Sequence, residues 1–338
     1  MKKYTIADVA RELGVSRATV SRAMNGKPGV GKKLREEILK YIAVVDYKPN
    51  NLAKALSGGK TNFIGLILGD IRNPFYSELA FHVQRKLNSE GYVVIILNSE
   101  FDEKRELSYV QMAIRLNFAG VILLTAQNGG LEEMLTEENI AVVLINRFWP
   151  GFTGSSVISD NFKAGYIATM HLLELGHTNI GFISGHANSL ASHNRHIGYV
   201  QAMNNLGLKT DHLYHQSSDL KMETGYQIGQ KFMALPKKER PSAIVIINDM
   251  TALGFMSAIK EQGGCIPEDL SIVSFDDISI ASVQGIDLTT VSHDTTNMSL
   301  KAANLIKESI ENPAHKIEQI IINPKLKIRK TTRPYHSK

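Results

Sequence analysis

Guanidinium, hydroxyl, amide and methyl groups crowd together near the start of the chain at Ser16, Arg17, Ala18, Ser21, Arg22 and Asn25. Arginine pairs with the acceptor edge of guanine, serine and asparagine reach phosphates or bases, and an alanine methyl can meet that of thymine. A second set of groups lies far downstream: the ring pair Phe75 and Tyr76, then Asn146, Arg147, Asn248 and Asp276. Ring faces with a few directed polar groups suit a small polyhydroxylated ligand. Two other spacings invite chemistry. Gly26 to Lys33 reads G-x-x-x-x-G-K-K, but it lacks the Ser or Thr that would hold magnesium, and a helix rather than a strand precedes it. His193 and His196 are spaced as a metal pair on a helix, but no third ligand is near in sequence.

The first group needs a helical hairpin to present it. Thr5 is a helix cap, Asp8 suits the positive end of the helix dipole, and Ile6, Val9, Ala10 and Leu13 share one face. Gly14 and Val15 break the helix, and Ser16 caps a second one over 17–24. Val15, Val20, Ala23 and Met24 turn inward there. Two short helices joined by a glycine turn form a helix-turn-helix skeleton, whose second helix enters the major groove. A third helix near 32–44 supplies the stripe Leu34, Ile38, Tyr41, Ile42 and Val45. Charge is divided along the chain accordingly. Residues 1–60 hold 13 Lys and Arg against 5 Asp and Glu, and the remainder 25 against 28. A basic head on a mildly acidic body is the footprint of a surface that meets phosphate.

The second group needs parallel sheets. Apolar runs of strand length at 63–68, 93–97, 121–124 and 142–145 alternate with helical segments such as 75–89 and 107–116. A second series, 180–183, 243–247 and 271–274, is separated by helices at 162–175, 195–206, 224–235 and 251–262. This alternation gives an α/β fold with both sheet faces covered. Ligands bind beyond the carboxyl ends of such strands, which selects Phe75, Tyr76, Asn146, Arg147, Asn248 and Asp276. Asn248 and Asp249 also have the composition of a helix cap, and Asp249 is the stronger candidate for that role. Asp276 followed by Asp277 places two acids after a buried strand, an arrangement that requires a partner.

The stretch T-I-A-D-V-A-R-E-L-G-V-S-R-A-T-V-S-R-A-M-N-G, followed by Y-K-P-N-N-L-A-K-A-L, resembles the LacI/GalR family of transcriptional regulators. Further matches fall at 71–76, 174–177, 248–254, 274–277 and 288–291, so the likeness spans the chain. It implies a helix-turn-helix headpiece over 1–48, a hinge helix and linker over 49–60, and a two-lobed body over 61–338 like a periplasmic sugar-binding protein. The N-lobe would comprise about 61–160 and 293–322, and the C-lobe about 161–290 and 323–338. It also implies DNA contacts at Thr5, Thr19, Tyr47, Asn50 and Ala53, with Leu56 wedged into the minor groove. Effector contacts are implied at Asp160, His193, Arg195, Leu220 and His293. The expected assembly is a homodimer on a pseudo-palindromic operator, with affinity set by a small effector and no cofactor. Where many sugar-binding relatives carry arginine this chain has His193, and Asn146 replaces an acid. The identity of the ligand therefore does not carry over.

An enzyme is disfavoured by the absence of a nucleophile elbow, a complete P-loop or a dinucleotide fingerprint. A solute-binding protein would fit the body alone but would leave the basic head unused. A DNA-binding regulator governed by a protein corepressor is the remaining alternative. The single cysteine, Cys265, excludes an internal disulfide. No apolar run reaches membrane-spanning length and no export signal is visible, so a cytoplasmic protein is expected. An apolar side chain inserted between base steps bends DNA and enlarges the contact surface. Leu56→Ala is therefore expected to weaken specific operator binding sharply while sparing non-specific binding. Equal losses for both in a salt titration would contradict the wedge.

Overall fold

The computed structural model describes residues 4–24, 26, 28–47, 60–125, 130–147, 152–187, 189–210, 214–312, 314 and 316–336. The chain divides into two compact units, Met1–Thr61 and Asn62–Lys338. The first is helical. Thr5 and Asp8 close a capping box in front of α1 (Ile6–Glu12), with Asp8 N–H donating to Thr5 Oγ1 at 3.3 Å and Thr5 N–H to Asp8 Oδ2 at 2.9 Å. Gly14 turns the chain at φ +64°, a conformation that glycine adopts without a Cβ penalty. α2 (Arg17–Met24) starts behind Ser16, whose hydroxyl accepts from Thr19 N–H at 3.0 Å. α3 (Lys32–Val44) closes the unit, and Val9, Ala10, Val20, Ala23 and Ile38 form its buried core.

The second unit carries two six-stranded sheets. Its elements run β1 (Phe63–Leu68), α4 (Pro74–Ser89), β2 (Val93–Asn98), α5 (Glu103–Arg115), β3 (Gly120–Leu123), α6 (Leu131–Glu137), β4 (Ala141–Ile145) and β5 (Ser155–Ser159). There follow α7 (Asn161–Glu174), β6 (Ile180–Ser184), α8 (Leu190–Asn205), β7 (His215–Ser217), α9 (Met222–Ala234), β8 (Ala243–Ile246), α10 (Asp249–Glu261) and β9 (Ser271–Asp276). The chain ends with β10 (Thr289–Ser292), α11 (Thr295–Glu311), β11 (Gln319–Ile322) and β12 (Lys325–Lys327). The first sheet has the order β11-β5-β4-β3-β1-β2 and is wholly parallel. The second runs β12-β10-β9-β8-β6-β7, with only β12 antiparallel.

These two sheets are the two lobes. The chain passes between them after Ser159, again at His293, and again at Asn323, since each position separates a strand of one sheet from an element of the other. Strands covered on both faces read as continuous apolar runs. In β1, Ile64, Leu66 and Leu68 face one core cluster while Ile67 faces the other.

α7 and α8 cross at close range because glycines meet backbone on both sides. A Cβ on Gly165 would overlap the Arg195 carbonyl, and one on Gly198 would overlap the Phe162 carbonyl. The contact fixes the helix from which Arg195 projects. Gly165→Ala is expected to force the helices apart and destabilise the fold by about 1–3 kcal/mol, the range for overpacked sites. Thermal melting checks this, and an unchanged melting temperature would contradict the close-approach account.

Candidate functional site

The α1–α2 hairpin leaves Ser16, Arg17, Ala18 and Arg22 exposed and Thr19 and Ser21 half-buried. Ser16 and Thr19 share a hydroxyl contact at 2.8 Å, so the cap and the first turn of α2 hold one another. Thr5 is exposed, but its hydroxyl and N–H serve the capping box. Tyr47 packs on the headpiece core, and burial pushes its phenol upward in pKa. Asn25, Asn50, Ala53 and Leu56 lie outside the described residues.

In the body, the carboxyl ends of both sheets converge on a cavity of about 50 Å³. From the first lobe come Asn73, Phe75 and Tyr76 at the start of α4, with Asn146 and Arg147 after β4. From the second come Ser189, Ser192 and Arg195 around the start of α8, Leu220 after β7, Ile247 and Asn248 after β8, and Asp276 at the end of β9. Phe75 and Tyr76 meet edge to face at 5.3 Å, so each is both core and wall. Arg147 spans the lobes, donating at 3.3 Å to Ser189 Oγ. Asn146 Oδ1 is buried without a partner among the described residues. Asn146, Leu220 and Asp276 have φ of 53°, 72° and 109°. Non-glycine residues rarely adopt such angles, and strain of this kind gathers at functional sites.

Arg195 is the buried centre. It donates from Nε to Asn161 Oδ1 at 2.9 Å, from Nη1 to the Ile247 carbonyl at 2.7 Å and from Nη2 to His293 Nε2 at 2.8 Å. Its guanidinium carbon lies 4.7 Å from the centroid of the Phe275 ring. Because a guanidinium can only donate, His293 Nε2 must accept. Its proton is then on Nδ1, donated to Ser159 Oγ at 2.7 Å. Burial, reinforced by Arg195, holds the His293 pKa well below its ordinary value, which keeps the ring in this neutral form.

Asp276 Oδ1 stands 3.8 Å from both Arg195 Nη2 and His293 Nε2, outside hydrogen-bond reach. Burial therefore outweighs Arg195 and raises the carboxyl well above its usual range, with Asp249 pushing the same way. The result is a hidden acid close to a cation but not hydrogen-bonded to it, beside a cavity that opens onto it. A ligand hydroxyl can supply that bond. The neighbouring acid is settled differently, since Asp277 pairs with Arg329 at 2.6 Å.

Several expected contacts stand off the wall of this cavity. Asp160 is not on the cavity wall; its carboxylate caps α7, accepting from Lys163 N–H at 2.9 Å. His293 lies beneath the wall rather than on it. His193 is exposed and lines a separate chamber, because a two-residue step on a helix turns about 200° away from Arg195. Asn248 borders the cavity, but both ends of its amide are engaged. Its Oδ1 accepts from Thr251 N–H at 3.0 Å and its Nδ2 donates to the Leu220 carbonyl at 3.1 Å. Asn248, not Asp249, is thus the helix cap. Asp249 is fully buried instead, accepting from Ser274, from Thr290 at 2.7 Å and from Ile278 N–H at 2.9 Å, and its pKa is raised to about 6 chiefly by burial. Asn73, Asn161, Ser189 and Ser192 lie outside the residues that the strand-end rule and the family resemblance select. Ser189 caps α8 and could have been found from its Ser spacing had the helix start been placed at 190 rather than 195. Among the described residues no three His, Cys, Asp or Glu are grouped to hold a metal.

A family model described as "Bacterial regulatory proteins, lacI family" matches residues 5–50, and one for a periplasmic binding protein-like domain matches 169–332. The HTH-type transcriptional regulator DegA of Bacillus subtilis (strain 168) is 32% identical over 340 residues, covering 99% of this chain and 100% of its own. The chain belongs to the LacI family. The HTH-type transcriptional repressor PurR of Haemophilus influenzae (strain PittEE) is 30% identical over 335 residues, with 97% and 98% covered. A LacI family transcriptional regulator from Enterococcus faecium, solved with bound ribose, aligns at TM-score 0.73 and 26% identity over 81% of this chain and all of that one. As a LacI-family member the chain is a DNA-binding transcriptional regulator, and these relatives are regulators rather than enzymes. No helix among the described residues is long and apolar enough to cross a membrane.

The raised Asp276 pKa has a measurable sign. An acid whose folded pKa is elevated contributes stability that is complete below its unfolded value, about 3.9, and lost as pH rises through the folded value. Asp276→Asn never ionises, so its stability advantage over the parent should grow from pH 4 towards pH 8. Denaturant midpoints at several pH values check this, and a pH-independent difference would contradict it.

Proposed function

We propose that the chain is a repressor acting as a homodimer on a pseudo-palindromic operator, and that a sugar or sugar derivative held between its lobes sets operator affinity. The observation carrying the effector reading is Asp276, hidden in the interlobe cavity 3.8 Å from the Arg195 guanidinium, too far to hydrogen-bond, with Arg147 and Asn146 Oδ1, unpartnered among the described residues, on the same wall. Acceptors and charged donors facing two ring walls suit a molecule bearing several hydroxyls. The ribose held by the Enterococcus relative and the repressor name of the Haemophilus relative support the same reading.

The effector acts through the lobes. Ligand sites commonly enclose ~300–1,000 Å³, so a cavity of about 50 Å³ must widen to admit one. A ligand that binds one lobe arrangement better than the other shifts their populations, and only this difference in affinity can be transmitted to DNA. Coupling of about 1–3 kcal/mol is the usual size. Reading DNA falls to the exposed face of α2, with Arg17 and Arg22 supplying the specific contacts. No cofactor beyond the effector is required, and the protein works in the cytoplasm, where its operator lies.

The test is a thermal-shift screen against sugars, sugar phosphates, nucleobases and nucleosides. Saturation at a hundred times the dissociation constant adds about 2.7 kcal/mol, a shift of several degrees. A sugar is expected to raise the melting temperature of the parent and not of Asp276→Ala. A nucleobase hit, or a sugar hit that survives Asp276→Ala, would contradict the assignment. On a selected operator, affinity should fall steeply as salt rises, through counterion release. A flat response would refute the basic-head argument.

A further inference from the structure

The C-lobe holds another cavity at the end away from the cleft. It encloses about 560 Å³ at the amino ends of β6, β8 and β9, where His177, Ser242 and Leu270 precede the strands. The last turns of α9 and α10 and the tail residues Arg333, Tyr335 and His336 close its sides. Its floor is apolar, built from Phe232, Met233, Pro241, Ile259 and Leu270. Ligand pockets commonly enclose ~300–1,000 Å³, with a mainly apolar lining and a few placed polar groups. This cavity has both the size and the composition.

Two guanidiniums line it without a counterion among the described residues. Arg240 donates only to neutral acceptors, from Nε to the Leu235 carbonyl at 2.9 Å, from Nη2 to the Met233 carbonyl at 2.5 Å and from Nη1 to Met233 Sδ at 3.4 Å. Arg333 is fixed through its backbone. Its N–H donates to Ser271 Oγ at 3.2 Å, and its carbonyl accepts from His177 Nε2 at 3.1 Å. Its side chain donates from Nη2 to the Glu268 carbonyl at 2.6 Å. A guanidinium has more N–H donors than these contacts use, and both arginines are half-buried. The acids of the cavity, Glu268 and Asp269, are exposed, and neither pairs with these arginines among the described residues. Asp269 instead turns one oxygen to Cys265 N–H at 2.9 Å. Cations drawn partly out of water call for an opposite charge, and here the protein leaves that place open.

We propose that this cavity is a second small-molecule site, separate from the interlobe cleft, and that it takes an organic acid whose carboxylate meets Arg333 or Arg240 and whose apolar body lies on the floor. A planar carboxylate matches the guanidinium fork, and such charge-assisted bonds exceed neutral ones in strength. A bare inorganic anion would leave the apolar floor uncovered, and a neutral apolar molecule would leave the guanidiniums unmatched. The place of the site in the lobe gives its occupancy a route to the cleft. β8 runs from Ser242 at this cavity to Ile247 at the other, roughly 17 Å at the usual rise per residue. β9 joins Leu270 to Asp276, and α10 joins Ile259 to its cap Asn248, across the same two ends. The acid thus binds at the foot of the elements whose upper ends carry the cleft. The inference stands independently of the sugar reading.

Calorimetric titration of the full-length protein with phenylpropionate, phenylbutyrate and indoleacetate, each against its neutral amide and all against inorganic phosphate, tests this. At least one acid is expected to bind at least about tenfold more tightly than its amide, as one charge-assisted hydrogen bond would give. Phosphate should bind more weakly than that acid. Arg333→Gln, which keeps a donor for the Glu268 carbonyl, should weaken the acid by about tenfold or more. Gln262→Trp, an exposed position on the cavity wall, should obstruct the site without disturbing the core, and so carries the test if Arg333→Gln lowers the melting temperature. Asp276→Ala should leave acid binding unchanged, which separates this site from the cleft. Equal binding of acid and amide, acid binding that survives both Arg333→Gln and Gln262→Trp, acid binding lost in Asp276→Ala, or no binding by any of the acids would each overturn the proposal.

Discussion

The body is organised around one buried cation. Removing a guanidinium from water is strongly unfavourable unless its donors are matched, and Arg195 is matched from three directions by Asn161, the Ile247 carbonyl and His293. Each partner is constrained in turn. His293 must be neutral and protonated on Nδ1, which requires the acceptor Ser159 at the end of β5. Asn161 must turn its Oδ1 to Arg195, and its Nδ2 donates to the Ser159 carbonyl at 3.1 Å. Gly165 and Gly198 let α8 approach α7 closely enough for the guanidinium to reach.

These partners have a mechanical meaning because of where they sit. Ser159 and Asn161 flank the first passage of the chain between lobes, and His293 lies at the second. The side chain that reaches the cleft beside Asp276 therefore also holds two of the interlobe connections. The third is tied by Lys163, which donates to Asn323 at 3.2 Å. On the proposed function, a ligand that draws Asp276 or Arg195 into new bonds would act directly on these connections between the lobes. Packed interfaces respond to such pulls by switching between discrete arrangements rather than by deforming smoothly.

How far the sequence disclosed this follows from what each residue does locally. The apolar run of β1 and the helical stripe of α3 are periodic signals, and both elements stand where those signals fall. The strand-end rule finds Asp276, Asn146 and Arg147 because it depends on sheet topology alone. β5, β7 and β11 carry Ser, His and Gln rather than unbroken apolar residues, and β5 and β11 become strands by pairing with each other across a long stretch of chain. His193 and Arg195 lie two residues apart, yet helical geometry sends them to different cavities, which residue proximity does not reveal. Asp160 and Asn248 have the residue types of ligand contacts and of helix caps alike. Only the positions of Lys163 N–H and Thr251 N–H show that their oxygens are engaged.

The proposed coupling is that Arg195 and His293 carry the state of the cleft to the interlobe joints. It is tested most directly by measuring operator affinity with and without saturating effector, for the parent protein and for His293→Phe, which keeps a ring but removes the acceptor facing Arg195. The account predicts that the variant still binds effector through Asp276, while the ratio of operator affinities, roughly 5–150-fold in a typical allosteric protein, collapses towards one. An undiminished ratio in a variant that folds and binds both ligands would contradict it.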